Sequence, residues 1–171
     1  MIAIELWPID RPKPYPRNAR KITQAAIDKV AASLQEFGWR QPLVVDVHGV
    51  VVVGHVRLLA AQKLGLAEVP VHVADNLTPG QIQAYRLMDN RSHQETSWDM
   101  SLLAEDLADL RQLDTDLALT GFNADEIADL LQATAEATAP EEFKEYDENI
   151  DTEHECPKCG YRWSGKTSQT E

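Results

Sequence analysis

A short segment in the first third of the chain combines residue types that can bind an anion. Four valines, from Val50 to Val53, run directly into Gly54, and residues of helical composition follow. Backbone N–H groups at the start of a helix point outward, and the helix dipole favours negative charge there. Glycine lets a phosphate approach the backbone, the Arg57 guanidinium can hold phosphate oxygens bidentately, and His55 adds a donor. The segment predicts either a phosphate site or a tight strand-to-helix turn whose arginine faces solvent.

The two cysteines of the chain, Cys156 and Cys159, form a C-x-x-C pair in the sequence C-P-K-C-G-Y. This sequence resembles one knuckle of a zinc ribbon, in which such a turn presents two thiolates to one metal ion. A structural zinc site takes four ligands, so His154 is predicted as the third. The fourth ligand would come from a second subunit or from one of Glu153, Glu155 and His93. The sequence therefore predicts a zinc-binding knuckle, and the alternative is a knuckle without metal.

The net charge of −12 belongs to one part of the chain. Residues 1–98 carry 11 Lys/Arg and 9 Asp/Glu, residues 99–153 carry 2 and 17, and residues 154–171 carry 3 and 2. The acidic segment opposes binding to DNA phosphates, so DNA association is expected only indirectly, through a partner protein. From the residue pattern we expect no signal peptide and no disulfide framework, and the sequence has no apolar run near the roughly 20 residues that span a membrane. A cytoplasmic protein without membrane contact is predicted.

Apolar spacing and turn residues predict an α+β domain followed by helices. Thr23 as N-cap and Gly38 as stop bound a first helix, and residues 43–53 are typical of a β-hairpin. The capping-box pair Asn123 and Glu126 begins the last helix. The remaining predicted elements are strands at 2–7 and 69–73 and helices at 57–64, 78–88, 100–113 and 124–131. The predicted domains are 1–98, an acidic helical extension at 99–131, an acidic flexible linker at 132–153, and a knuckle with a tail at 154–171.

Several ordered motifs resemble those of the ParB N-terminal domain, in the ParB/sulfiredoxin superfamily. The sequence G-H-V-R-L-L-A-A from Gly54 to Ala61 resembles the family's G-E-R-R-x-x-A-A. Residues 14–20 resemble its P-x-N-x-R segment, residues 37–45 its G-x-x-Q-P-L-x-V segment, and Asp89-Asn90 the acidic-Asn pair of its E-N-x-x-R element. The resemblance covers about residues 2–98. It implies a small mixed sheet with flanking helices, which here would precede C-terminal helices and a short zinc-knuckle-like tail.

The resemblance implies a nucleotide site, because in ParB proteins this domain binds CTP near a magnesium ion. The implied ligand is CTP or ATP, and Asp89 and Asn90 would be oxygen ligands of Mg²⁺. The implied nucleotide-binding residues are Arg20, Gln41, Pro42, Gly54, His55 and Arg57, of which the last three would lie at the phosphates.

The chain departs from the family motif at two positions. His55 stands where the family has an acidic residue, and Val56 replaces the first of two arginines, so Arg57 must carry the phosphate charge with less help. The related sulfiredoxin motif has a reactive cysteine, and here no cysteine precedes Cys156, which excludes sulfinic-acid reductase chemistry.

Residues 87–91, 98–99 and 117–122 narrow the resemblance to ParB-like domains of phages and mobile elements, often fused to a DNA methyltransferase. No helix-turn-helix is expected after the domain, because the helices at 100–113 and 124–131 are too acidic to face DNA. The favoured function is a nucleotide-dependent switch or slow NTPase in partitioning, packaging or modification of DNA, with a homodimer as one arrangement.

Two alternatives stay open at this point. One is a metal-dependent nuclease, for which Asp89 is the main carboxylate candidate, and the other is a non-catalytic adaptor for a methyltransferase or packaging system. No residue stands out as a base for water, although His93, close to Asp89 and Asn90, is a candidate acid, base or ligand.

Overall fold

The computed structural model describes residues 3–92, 94–137 and 154–163. The chain divides into two compact units, Met1–Thr134 and Ala135–Glu171. His93, Glu153, most of the predicted linker and the polar tail lie outside the described residues. No helix within the described ranges is long and apolar enough to cross a membrane.

The first unit is built on a four-stranded mixed sheet in the order β1-β4-β2-β3. Its strands are β1 (Glu5–Pro8), β2 (Leu43–Val45), β3 (Val51–Val53) and β4 (Glu68–Val73). Strand β4 pairs antiparallel with β1 and parallel with β2, and β2 pairs antiparallel with β3. The predicted hairpin at 43–53 and the predicted strand at 69–73 are confirmed.

The turn between β2 and β3 is closed by Asp46, whose Oδ1 accepts the backbone N–H groups of His48 and Val50, both at 2.9 Å. Asx turns of this kind fix the direction in which the chain leaves a hairpin. The following strand is buried at all three valines, although it stands at one end of the strand order. It ends at Val53, so the hairpin places the next residue, Gly54, at the edge of the core.

Three helices flank the sheet: α1 (Gln24–Phe37), α2 (His55–Lys63) and α3 (Pro79–Ser92). Thr23 caps α1 by accepting the N–H of Ala26 at 3.2 Å, and the helix stops at Gly38, as predicted. Helix α2 begins at His55, earlier than the predicted Arg57, because Gly54 itself is the N-cap. Helix α3 continues past the predicted end at 88, so Asp89 and Asn90 lie in its last turns.

Two apolar clusters hold the sheet between these helices. One joins α2 to the sheet and contains Trp7, Leu43, Val45, Val51, Leu58, Ala61, Val69 and Val71. The other joins β3 to α3 through Val52, Val53, Ala74 and Ile82. Because β3 is packed on both faces, the turn that follows it is anchored from two sides.

Helices α4 (Met100–Gln112) and α5 (Ala124–Ala137) follow, with a 3-10 helix (Leu117–Thr120) between them. Their cluster contains Leu103, Ala104, Leu107 and Leu130. The predicted capping box is confirmed, because Asn123 Oδ1 accepts the N–H of Glu126 at 2.8 Å and Glu126 Oε2 accepts the N–H of Asn123 at 2.7 Å. Helix α5 runs to Ala137, so residues 132–137, predicted as linker, are helical.

In the second unit, strands β5 (His154–Glu155) and β6 (Arg162–Trp163) pair antiparallel around the C-P-K-C-G turn. The predicted α+β class with a small mixed sheet, flanking helices and C-terminal helices is confirmed.

Candidate functional site

An open cavity of about 810 Å³ lies in the first unit between α1, the β3–α2 turn and the end of α3. Seven residues that the sequence predicted as ligands of nucleotide or magnesium line it: Arg20, Gln41, Gly54, His55, Arg57, Asp89 and Asn90. Pro42, predicted as part of the wall, is not among the residues that line the cavity. The structure thus brings together positions that are up to 70 residues apart in the chain, while their ligand-binding roles stay predictions.

Gly54 lines the cavity at the N-terminus of α2. Its φ is 101°, in the left-handed region, and no side chain caps the helix there. A Cβ at this position would lie 2.7 Å from Leu43 Cδ2 and 3.3 Å from Arg57 Nε. The turn therefore requires glycine for its backbone conformation and for its packing space, and no side chain caps the N–H groups of the first helical turn, where an anion is favoured.

Arg57 lies in the first turn of α2 and reaches back to the strand β2 side of the cavity. Its Nη1 donates to the backbone carbonyl of Gln41 at 2.8 Å and to Gln41 Oε1 at 3.0 Å. Burial lowers the pKa of the Arg57 guanidinium from its ordinary value, and the negative charge of Asp89 opposes that shift. Arginine keeps its charge in proteins, so the structure holds a partly desolvated cation over the start of α2.

His55 ties the basic loop, residues 11–20, to the start of α2. Its Nε2 accepts the backbone N–H of Tyr15 at 3.3 Å, so that nitrogen carries no proton and a neutral ring carries its proton on Nδ1. Burial, and secondarily the charge of Arg86, lower the pKa of His55 below its ordinary value. The donor expected at this position is therefore Nδ1 of a neutral imidazole, and Nε2 serves the loop.

Arg86 is a buried residue of the site region that the sequence analysis missed. It is 7% exposed, its guanidinium stacks over the ring of Tyr15 at 3.7 Å, and Nη2 donates to the carbonyl of Val51 at 3.5 Å. Its Nε is buried without a hydrogen-bond partner among the described residues. The available signal was helical spacing, since Ile82, Arg86 and Asn90 recur every four residues and share the inner face of α3. Arg86 positions the basic loop through Tyr15 instead of lining the cavity itself.

Asp89 and Asn90 face the cavity from the last turns of α3. Asn90 Nδ2 donates to the carbonyl of Arg86 at 2.8 Å, which fixes the orientation of its amide. The carboxylate of Asp89 lies close enough to act on the pKa of Arg57. One carboxylate and one amide are hard oxygen donors, so the pair fits a magnesium ion whose remaining ligands are water and phosphate oxygens.

The charges that line the cavity are mostly positive. Arg20, Lys21, Arg40 and Arg57 line it, and Asp89 is the one carboxylate among its described lining residues. The indole of Trp39 also lines the cavity, and its Nε1 is buried without a hydrogen-bond partner among the described residues. The excess of cations favours an anionic occupant of the cavity.

The second predicted metal site lies in the other unit. Cys156 and Cys159 occur in a closed turn, in which the N–H of Gly160 donates to the carbonyl of Cys156 at 2.8 Å. The ring of His154 packs on Trp163, with ring centroids 5.6 Å apart. Among the residues that the structure describes, no group of three His, Cys, Asp or Glu side chains could hold a metal ion. The three predicted zinc ligands are thus not gathered at one point, and zinc binding stays a prediction.

Two family models match the chain. The ParB N-terminal domain matches residues 3–91, and the ParB-methyltransferase HTH domain matches residues 101–158. The second match contradicts the expectation that no helix-turn-helix follows the first domain, which was therefore wrong. That expectation rested on surface charge, whereas the packing of α4 and α5 is set by their buried apolar positions, such as Leu107 and Leu130.

Individual proteins are also similar to this chain. The chain is 36% identical over 76 residues to the "ParB-like nuclease domain-containing protein YnaK" of Escherichia coli K12, covering 44% of this chain and 87% of that protein. Its fold is similar to that of the C-terminally truncated chromosome-partitioning protein ParB from Caulobacter crescentus complexed with CTP-γ-S. The TM-score is 0.64 and the identity 21%, over 78% of this chain and 79% of that chain. Sulfiredoxin from Arabidopsis thaliana matches with a TM-score of 0.41 and 22% identity, over 48% of this chain and 96% of that chain. The protein therefore belongs to the family of the ParB N-terminal domain.

Proposed function

We propose that the first unit binds a nucleoside triphosphate, CTP or ATP, with Mg²⁺, and that the bound nucleotide switches the protein between states in a DNA process. The observation that carries the proposal is the meeting of the α2 N-terminus at Gly54 with four cationic side chains around one cavity. The amides and the helix dipole would bind phosphate oxygens, and Arg57 would clamp them bidentately. The complex of the similarly folded ParB with CTP-γ-S supports this choice of ligand.

Magnesium would be held by Asp89 and Asn90, both of which line the cavity. The ion would offset phosphate charge and thereby lower the repulsion between the nucleotide and Asp89. Because Asp89 also acts on Arg57, the metal and the phosphate clamp would respond to each other.

Slow hydrolysis of the nucleotide fits the lining residues better than fast turnover does. A base for water needs a free acceptor within hydrogen-bond reach of the phosphate. Nε2 of His55 accepts the Tyr15 N–H, and Asp89 would be occupied by the metal. A metal nuclease, suggested by the name of the relative YnaK, is less well supported, because two-metal cleavage uses clustered carboxylates and Asp89 stands alone among the described lining residues.

The DNA process is proposed to be partitioning, packaging or modification in a phage or mobile element. The match of residues 101–158 to the ParB-methyltransferase HTH domain supports a DNA context. The acidic charge of residues 99–153 favours contact with DNA through a partner protein over direct contact by those helices. A nucleotide-dependent change in self-association, such as formation of a homodimer, would give the switch an output.

Substitution of Arg57 tests the phosphate site directly. In titrations of the four nucleoside triphosphates with Mg²⁺, Arg57→Ala should weaken binding about 10- to 100-fold, because one charge-assisted contact contributes about 1.5–3 kcal/mol. Lys63→Ala is the matched control, since Lys63 lies on the same helix but pairs with Asp28 at 2.6 Å and does not line the cavity. Equal affinities of the parent and Arg57→Ala for every nucleotide would overturn the proposal.

A further inference from the structure

The guanidinium of Arg86 is buried on the inner face of α3 with few polar contacts. The residue is 7% exposed, and its Nε has no hydrogen-bond partner within the described part of the chain. Its Nη2 lies 3.5 Å from the carbonyl oxygen of Val51, which is long for a hydrogen bond, whereas its Cζ lies 3.7 Å from the ring centroid of Tyr15. A buried cation needs compensation from its surroundings, and a desolvated cation–π contact is stronger than an exposed one. The ring of Tyr15 is therefore a strong contact for this charge.

The basic loop that carries Tyr15 reaches the cavity further along the chain. Asn18 and Arg20 both line the cavity, and the N–H of Arg20 donates to Asn18 Oδ1 at 3.1 Å. Before Tyr15, two backbone hydrogen bonds of 2.8 and 2.9 Å fix Lys13 to the β2–β3 hairpin. Tyr15 thus lies between an anchored part of the loop and the residues that reach the cavity.

The loop does not pack tightly on the helix beside it. A second cavity, of about 220 Å³, is lined by Tyr15 of the loop and by Leu58 and Leu59 of α2, among other residues. Two contacts hold Tyr15 at this space: its N–H donates to His55 Nε2 at 3.3 Å, and its ring lies on Arg86. Because apolar packing does not fill the space, these two contacts restrain the loop there.

We propose that Arg86 is a positioning residue for nucleotide binding and acts through the ring of Tyr15. The contact keeps Asn18 and Arg20 at the cavity, and the inference rests on the proposed nucleotide site. The carbonyl of Arg86 also accepts Asn90 Nδ2 at 2.8 Å, so one residue holds both the loop and the amide proposed to bind magnesium. Without the contact the loop adopts more conformations, and a nucleotide must order it at a cost in affinity.

Titration of CTP and ATP with Mg²⁺ into variants at both ends of the contact tests this role. Tyr15→Leu and Arg86→Met each remove the cation–π contact and leave an apolar side chain, so each should weaken binding about 3- to 30-fold. The double variant should bind as weakly as either single variant, because the two side chains act as one contact. Tyr15→Phe keeps the aromatic face and should restore the affinity to near that of the parent.

Limited trypsin cleavage without nucleotide reports on the loop itself. Arg17 and Arg20 are exposed, and cleavage after them should be faster in Tyr15→Leu than in the parent and in Tyr15→Phe. Cleavage after Lys63, at the end of α2, should stay at the parent rate, because loss of the contact frees the loop and leaves the helix folded.

The outcomes separate this inference from the proposed function. A parent that binds neither nucleotide overturns the proposed function. A parent that binds them no more tightly than Tyr15→Leu and Arg86→Met overturns the role of Arg86 alone. Equal rates of loop cleavage in the parent and in Tyr15→Leu, or equal acceleration at the loop and after Lys63, also overturn that role.

Discussion

At Gly54, backbone conformation and packing space act on the same residue. Its φ of 101° lies where L side chains are strained, and an added Cβ would lie 2.7 Å from Leu43 Cδ2. Leu43 is fully buried in the cluster that joins α2 to the sheet, so it has little room to move. The glycine that begins α2, at the proposed anion site, is therefore also a requirement of the core.

Gly54→Ala should lower the free energy of unfolding by about 2–4 kcal/mol, from left-handed strain together with overpacking against Leu43. Denaturant unfolding measures the loss. Gly80→Ala is the control, because nothing lies within 4 Å of its added Cβ and it lies in helix α3, where alanine is favoured. If both variants unfold at the parent midpoint, the proposed tightness of the β3–α2 turn is wrong.

His55 gives the first unit a dependence on pH. Burial, together with Arg86, lowers its pKa in the folded chain, so the unfolded chain binds more protons once the pH falls below the ordinary value of 6.5. The contribution of neutral His55 to the free energy of unfolding is fully present above pH 6.5. It is lost as the pH falls through the lowered pKa of His55 in the folded chain. Protonation would also remove the acceptor for the Tyr15 N–H and place a second cation near Arg86.

His55→Gln keeps an acceptor for Tyr15 but does not titrate, so its free energy of unfolding should fall less between neutral and acidic pH than that of the parent. Denaturant unfolding at pH values above and below 6.5 measures the difference. Parallel pH profiles for the two proteins would contradict this role for His55.

At the scale of elements, local signals in the sequence were enough to bound α1 and to identify the β2–β3 hairpin and the α5 capping box. In each case the deciding contact joins residues close in sequence, such as Thr23 with Ala26 or Asn123 with Glu126.

The capping box should therefore act on its own helix. Asn123→Ala should lower the free energy of unfolding by about 1 kcal/mol and Asn123→Asp by much less, measured by denaturant unfolding. Equal losses in the two variants would show that the side-chain acceptor is not what stabilises the helix.

The features that sequence reasoning missed depend on contacts between distant elements. Arg86 resembles an ordinary helical arginine until the fold places Tyr15 over it and Val51 beside it. The extension of α3 brings Asp89 to the cavity, and no local pattern at residues 88–92 marks that extension. For the candidate site, seven of the eight residues predicted to bind nucleotide or magnesium line one cavity. They were found through motifs that occur along this chain in the same order as in the family. What they bind stays a prediction.

At the scale of the whole molecule, the first compact unit continues beyond the predicted domain end at 98. It runs to Thr134, and the 3-10 helix at Leu117–Thr120 packs on α1, which forms one wall of the cavity. Trp98 and Phe122 also meet across this boundary, with ring centroids 5.8 Å apart. The acidic helices thus share a unit with the cavity despite their different charge.

A chain shortened to residues 1–134 should therefore keep the unfolding midpoint and the nucleotide affinity of the full chain, because every residue that lines the cavity lies within it. A chain shortened to residues 1–98 should unfold at lower denaturant, since it removes the 3-10 helix from α1 and Phe122 from Trp98. Its nucleotide affinity should fall as well, because α1 carries cavity residues such as Val30 and Leu34. Denaturant unfolding and nucleotide titration of the three chains decide between the boundaries. If residues 1–98 unfold and bind as residues 1–134 do, the boundary predicted from the sequence stands and the acidic helices form a separate domain.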